Sequence, residues 1–221
     1  MSELVAAVRK DLLLHWRGRI QAVAIFAFGA SALLLFSFAI GPDSLALRQY
    51  AAGFLWLGLL LASTLTLAES FEREMEEQAL EGLLLLPASP TSLYYGKALA
   101  NWALLALLGV ALVPVMVVLY DAGTMRLLPL LGIIVLGTAG LSAPGTLYAA
   151  MTAQTRSRQT LLPLLFFPLV VPVLLAAVKA TSLLILGDPM GQLRPWAMLL
   201  FLFDAIQWSL GGLLFGRVLE D

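Results

Sequence analysis

Six stretches of this 221-residue chain are apolar enough and long enough to cross a lipid bilayer, and that pattern leaves few folds open. A helix needs about 20 mostly apolar residues to traverse the hydrocarbon core. The stretches run over about 20–40, 50–68, 101–120, 127–151, 161–186 and 196–216. Turn chemistry separates them at Gly41-Pro42-Asp43, Pro87 to Pro90, Asp121-Ala122-Gly123 and Gly187-Asp188-Pro189. Apolar residues make up 61% of the chain and charged residues only 12%, about half the charged share of a soluble domain. Too little polar surface remains to coat a water-soluble globule. The pattern therefore predicts one all-α membrane domain over residues 1–221, with no separate soluble domain.

Charge placement predicts the direction of threading. Lys and Arg concentrate in the cytoplasmic connections of membrane proteins. One alternate set of connections holds Arg9, Lys10, Arg17, Arg19, Arg73, Lys97, Arg156, Arg158 and Arg217; the other holds Arg48, Arg126 and Arg194. Nine against three puts both termini, the 69–100 segment and the 154–160 loop in the cytoplasm. A cleavable leader would show a short apolar core and a small-residue cleavage site. Here Arg17 and Arg19 precede a run that continues to Ile40, which reads as a retained helix. Ahead of it, Leu4, Val8, Leu12 and Trp16 recur at helical spacing, with Glu3, Arg9, Lys10 and Asp11 mostly elsewhere on the wheel. Residues 1–19 are accordingly expected to form an amphipathic helix in the cytoplasmic interface, the plain alternative being a flexible basic leader that only sets topology.

Chemistry-bearing residues are few. The chain has no cysteine and one histidine, His15, on the cytoplasmic leader, so no metal site is expected. It contains no G-x-x-x-x-G-K-[ST] loop to cradle phosphates, and Gly96-Lys97 lacks both the upstream glycine and the following hydroxyl. Any ATP hydrolysis must come from another chain. A net charge of −1 gives no bias toward nucleic acid. Charges inside spans are rare and face protein or water. Lys179 in the fifth span, and Asp204 and Gln207 in the sixth, are the intramembrane polar residues, and a Lys179–Asp204 pair would neutralise both charges. Pro163, Pro168 and Pro172 interrupt the fifth span; each removes a backbone donor and kinks a helix. Gly212 and Gly216 in the last span permit close helix packing. A membrane enzyme built on Glu69, Lys179 or Asp204 is disfavoured, because no nucleophile–base motif accompanies them.

One segment does not belong in a bilayer. Glu69 to Lys97 carries six of the fourteen acidic residues within thirteen positions, Glu69, Glu72, Glu74, Glu76, Glu77 and Glu81. Phe71, Met75, Gln78 and Leu80 to Leu83 allow an apolar stripe along a helix ending toward Pro87. Such a helix, held between two spans, suits docking of a soluble partner; the plain alternative is a solvated loop.

Phe71, Leu80-Glu81, Leu83 to Leu86, Pro87, Pro90, Lys97 and Trp102 resemble the cytoplasmic signature of the CcmB family, permease subunits of the haem-exporter ABC complex of cytochrome c maturation. The stretch LLPLLFFPLVVPVLLAAVKA resembles that family's proline-rich fifth helix. Ala79 departs from the Gly expected before Leu-Glu. The resemblance covers essentially the whole chain and implies a six-span, ABC-2-like permease fold. It makes residues 71–82 a coupling helix, with Phe71, Glu72, Arg73, Glu74, Met75, Glu76, Glu77, Gln78, Leu80 and Glu81 docking on the ATPase subunit. It also implies the bacterial inner membrane and a set of partners: a CcmA-like ATPase, expected as a dimer, CcmC-like and CcmD-like membrane subunits, and a CcmE-like haem chaperone. ATP would sit on the partner and haem would be handled by the complex, with no cofactor on this chain alone. The implied function is coupling of ATP hydrolysis to haem export or to release of the haem-loaded chaperone. The alternative is a permease of another ABC-2-type lipid or drug exporter.

Overall fold

The computed structural model describes residues 19–76, 90–123, 126–153 and 158–220, with side chains over 22–68, 90–123, 126–153 and 160–217. Every regular element among them is a helix: α1 (Arg19–Ile40), α2 (Ser44–Glu76), α3 (Pro90–Tyr120), α4 (Leu127–Ala153), α5 (Arg158–Leu186) and α6 (Leu193–Glu220). Each contains a stretch long and apolar enough to cross a membrane. In hydrocarbon no water satisfies free backbone groups, so chain this apolar closes its hydrogen bonds within the helix.

Tight turns reverse the chain at one end of the bundle. Gly41 takes a φ of 81°, which only glycine adopts cheaply, and Asp43 then caps α2 by accepting from the Leu45 and Ala46 amides at 3.0 and 3.2 Å. Asp188 does the same for α6, accepting from the Gln192 and Leu193 amides at 2.7 and 2.9 Å. Arg48 in the first turns of α2 pairs with Asp121 at 3.0 Å and donates to its carbonyl at 2.6 Å, tying the α1–α2 turn to the end of α3.

Helix α4 is the axis of the fold. It packs against α2, α3, α5 and α6, whereas α1 touches only α2 and α3. Small residues explain the position: Gly137 lies against the indole of Trp56, Gly140 against Val173 and Asp204, and Gly145 against Leu67 and Phe166. Without hydrophobic drive between helices in lipid, close approach of small residues is what holds such an interface. Trp56 is fully buried and donates from its indole nitrogen to Thr181 Oγ1 at 3.0 Å, so one side chain ties α2 to α5 while filling the notch beside α4.

The helix boundaries differ from the expected ones around the second and third spans. Helix α2 begins six residues before the expected start at 50, because the Asp43 cap and the Arg48–Asp121 pair accommodate the polar first turns. It also runs on to Glu76, and α3 begins at Pro90 rather than near 101. Most of the expected 69–100 connection is therefore helical continuation of the spans on either side, leaving 77–89 between them. Pro90 is well placed there, since a helix's first residue has no use for an amide donor. Lys97, counted with the cytoplasmic charges, is instead buried in α3. Without it the count is eight against three and points the same way.

Candidate functional site

Among the described residues, Arg19, Arg73, Lys97, Arg158 and Arg217 lie toward the end of the bundle to which α2, α4 and α6 run, the basic end, against Arg48, Arg126 and Arg194 at the other. Helix α2 reaches two turns beyond its apolar span, which stops at Ala68, so about 12 Å of helix projects past it. Of the expected docking residues, Phe71, Glu72, Arg73, Glu74, Met75 and Glu76 occupy this projection; their side chains lie outside the described set. Glu77, Gln78, Leu80 and Glu81 lie outside the described residues altogether, as do residues 1–18 of the expected interfacial helix.

On the far side of the 77–89 connection, the first turns of α3 are clasped to the bundle. Tyr94 is fully buried and donates to the Ala143 carbonyl of α4 at 3.1 Å. Its neighbour Tyr95 donates to the Trp208 carbonyl of α6 at 3.2 Å and stacks on the Trp208 ring, with centroids 6.2 Å apart and planes 9° from parallel. Trp208 in turn donates to the Ala139 carbonyl at 3.3 Å. Gly211 and Gly212 leave the room for the two phenols, and Pro90 lies beside Gly216. The expected close packing at Gly212 and Gly216 is thus directed at the base of α3. Further along α3, Ser142 donates to the Ala98 carbonyl at 2.7 Å and Asn101 donates to Thr146 at 3.0 Å.

This clasp was not among the expected site residues. The pair Tyr94-Tyr95 beside Gly96 and the pair Gly211-Gly212 carry the signal in the sequence, but matching bulky to small residues requires knowing that α3 meets α6.

The intramembrane polar residues do not form the expected pair. Asp204 is 8% exposed, faces Gly140, and neither of its carboxylate oxygens has a hydrogen-bond partner. Lys179 is exposed on the outside of α5, because that helix turns its Ala176, Ala177 and Ala180 stripe inward and the lysine outward. Gln207 is half-buried three residues after Asp204. Pro163 is half-buried, Pro168 and Pro172 are exposed on the outer surface of α5, and the helix is continuous through all three. Pro144, inside α4, is buried. Among the described residues no three His, Cys, Asp or Glu side chains come together to hold a metal.

A family model described as CcmB protein matches residues 2–211. The chain belongs to the CcmB family. Among curated relatives of this CcmB chain, heme exporter protein B of Bradyrhizobium diazoefficiens is 31% identical over 90% of the chain and 89% of the relative. Heme exporter protein B of Rhodobacter capsulatus is 37% identical over 67% of the chain and 68% of its own length. The protein of that name from Pseudomonas aeruginosa is 32% identical over 73% of each chain. The CcmB match covers all six helices apart from the last nine residues of α6, so Tyr94, Tyr95, Trp208, Gly211 and Asp204 lie within the family region and Gly212 and Gly216 just beyond it.

Proposed function

We propose that this chain is the membrane permease subunit of a haem-exporter ABC complex, with the ABC-2-like architecture. It passes ATP hydrolysis on a separate CcmA-like subunit to haem export or haem-chaperone release in c-type cytochrome biogenesis. The observation that carries this reading is the arrangement of α2 and α3 at the basic end. Helix α2 projects beyond its apolar span, and the chain returns into α3, whose first turns are bolted to α4 and α6. A push delivered to the start of α3 would reach the bundle axis through Tyr94 and Tyr95. CcmC-like, CcmD-like and CcmE-like proteins are the proposed partners for the haem-handling steps.

Co-purification tests the docking step. Replacing Glu72, Glu74, Glu76, Glu77 and Glu81 together by Lys is expected to reduce retained ATPase subunit by roughly tenfold or more, since like-charge juxtaposition at an interface costs several kcal/mol. Wild-type retention after five reversals would reject the docking role.

The proposed orientation, with both termini in the cytoplasm of a bacterial inner membrane, is open to a direct check because the chain has no native cysteine. A single cysteine at position 190, exposed in the α5–α6 turn, is expected to react with a membrane-impermeant maleimide from the periplasmic side. One at position 156, between α4 and α5, is expected to react only after the membrane is opened. The reverse pattern would invert the topology.

A further inference from the structure

Helix α5 turns one stripe to the bundle and another directly away from it. Val170, Val173, Ala177 and Ala180 are buried where α5 packs on α2, α4 and α6, and the Trp56 indole holds Thr181 on that same side. Leu164, Pro168, Pro172, Leu175 and Lys179, spaced by three or four residues, share the opposite side, and all five are exposed. A purely apolar outward stripe would be what lipid requires. This one is polar at two depths.

The first depth is set by the prolines, the ninth and thirteenth of the 27 residues in Thr160–Leu186. Proline has no amide hydrogen, so Pro168 and Pro172 deprive the carbonyls of Leu164 and Pro168 of their donors four residues on. In hydrocarbon such carbonyls are re-satisfied by a neighbouring helix, a hydroxyl side chain or an ordered water. Between Leu161 and Ala180 the helix has no Ser, Thr, Asn or Gln, and α2, α4 and α6 lie on its other side. The second depth is that of Lys179, the twentieth of the 27 and seven residues short of Leu186. Its ammonium offers three donors and no acceptor. Asp188, in the following turn, accepts from the Gln192 and Leu193 amides, and Asp204 faces Gly140 inside the bundle.

Lipid answers only half of this. A lysine stem can carry its head toward the outer headgroups, but the carbonyls near mid-depth stay where the backbone holds them. A second copy of the chain answers neither half. Two copies threaded the same way are related by a two-fold axis along the membrane normal, which sets like residues at like depth. Lys179 would then face Lys179, and carbonyls would face carbonyls.

We propose that the outward stripe of α5 seats a membrane helix of a different protein, with a carboxylate at the depth of Lys179. About 16 Å nearer the basic end, eleven residues along α5, that helix presents a hydroxyl, amide or indole donor to the freed carbonyls. The carboxylate and the ammonium form a charge-assisted bond, the stronger kind, and the donor closes the backbone groups that the prolines open. The seat lies on α5, apart from the α2 and α3 turns at the basic end, and does not rest on the proposed ATPase docking.

Photo-crosslinking of the full chain in its native membrane tests this. A benzophenone amino acid at position 175 is expected to join the chain to a second protein, at a peptide from a membrane span that contains Asp or Glu. Lys179→Glu is expected to lower the yield by about tenfold or more, because it sets like charges against each other, and Lys179→Arg to keep it. Replacing the acid of the attached span by Lys in the Lys179→Glu background is expected to restore the product. A product of two copies of this chain, adducts of lipid alone, an attached span without an acid, or a yield indifferent to Lys179→Glu would each overturn the proposal. Should the Glu variant fail to assemble, the product from the chain with native Lys179 gives the decision, since the attached span is read from it directly.

Discussion

Trp56→Ala is expected to destabilise the bundle by about 3–5 kcal/mol, the usual cost of deleting a buried tryptophan ring. Trp56 is completely buried, fills the notch at Gly137 on the axis helix, and holds Thr181 on α5 through its indole N–H. The notch is rimmed by three helices, so neighbours cannot collapse into it without shifting α2 or α5. Most of the loss should come from packing, because a hydrogen bond between membrane helices contributes only about 0.6 kcal/mol on average. Trp56→Phe is therefore expected to retain more than half of the lost stability. The measurement is unfolding in mixed micelles by denaturing detergent, and an Ala variant within about 1 kcal/mol of wild type would contradict the central place given to this residue.

Gly211→Ala is the second large expected effect, and it acts on coupling. The new methyl would overlap the hydroxyl and ring of Tyr94, forcing the phenol off the Ala143 carbonyl and loosening the base of α3. Overpacking of this kind costs about 1–3 kcal/mol. Borne by the clasp, that corresponds to a loss of coupling on the order of five- to 150-fold. In a reconstituted complex, c-type cytochrome maturation should fall while the ATPase subunit remains bound. Combining Gly211→Ala with Tyr94→Leu, which shortens the clashing side chain, should recover part of the loss. An additive double variant would show that the two residues act separately.

How much of this was readable beforehand differs from feature to feature. The number of spans was, because about 20 apolar residues in a row have few alternatives. Family membership was also readable, from the acidic segment followed by Leu83 to Pro87 and from the proline-rich fifth span. The limits of α2 and α3 were not. Arg48 reads as a loop charge until Asp121, 73 positions away, is found beside it. Tyr94, Tyr95 and Lys97 read as an interfacial edge until α6 offers glycines at 211 and 212. The Lys179–Asp204 pair failed for a similar reason: spacing along two helices says nothing of how each is rotated, and α5 turns its alanine stripe inward.

The apolar runs and the basic residues between them by themselves determine that this chain crosses the membrane six times, and they set its expected direction. Both are properties of transfer from water to lipid, which each segment meets alone. Only the tertiary structure decided which helix is the axis, where the connection at the basic end is clasped, and that Asp204 lies unpaired beside Gly140. Those depend on the rotation and register of helices against one another, set by the fit of small residues to large ones across the bundle.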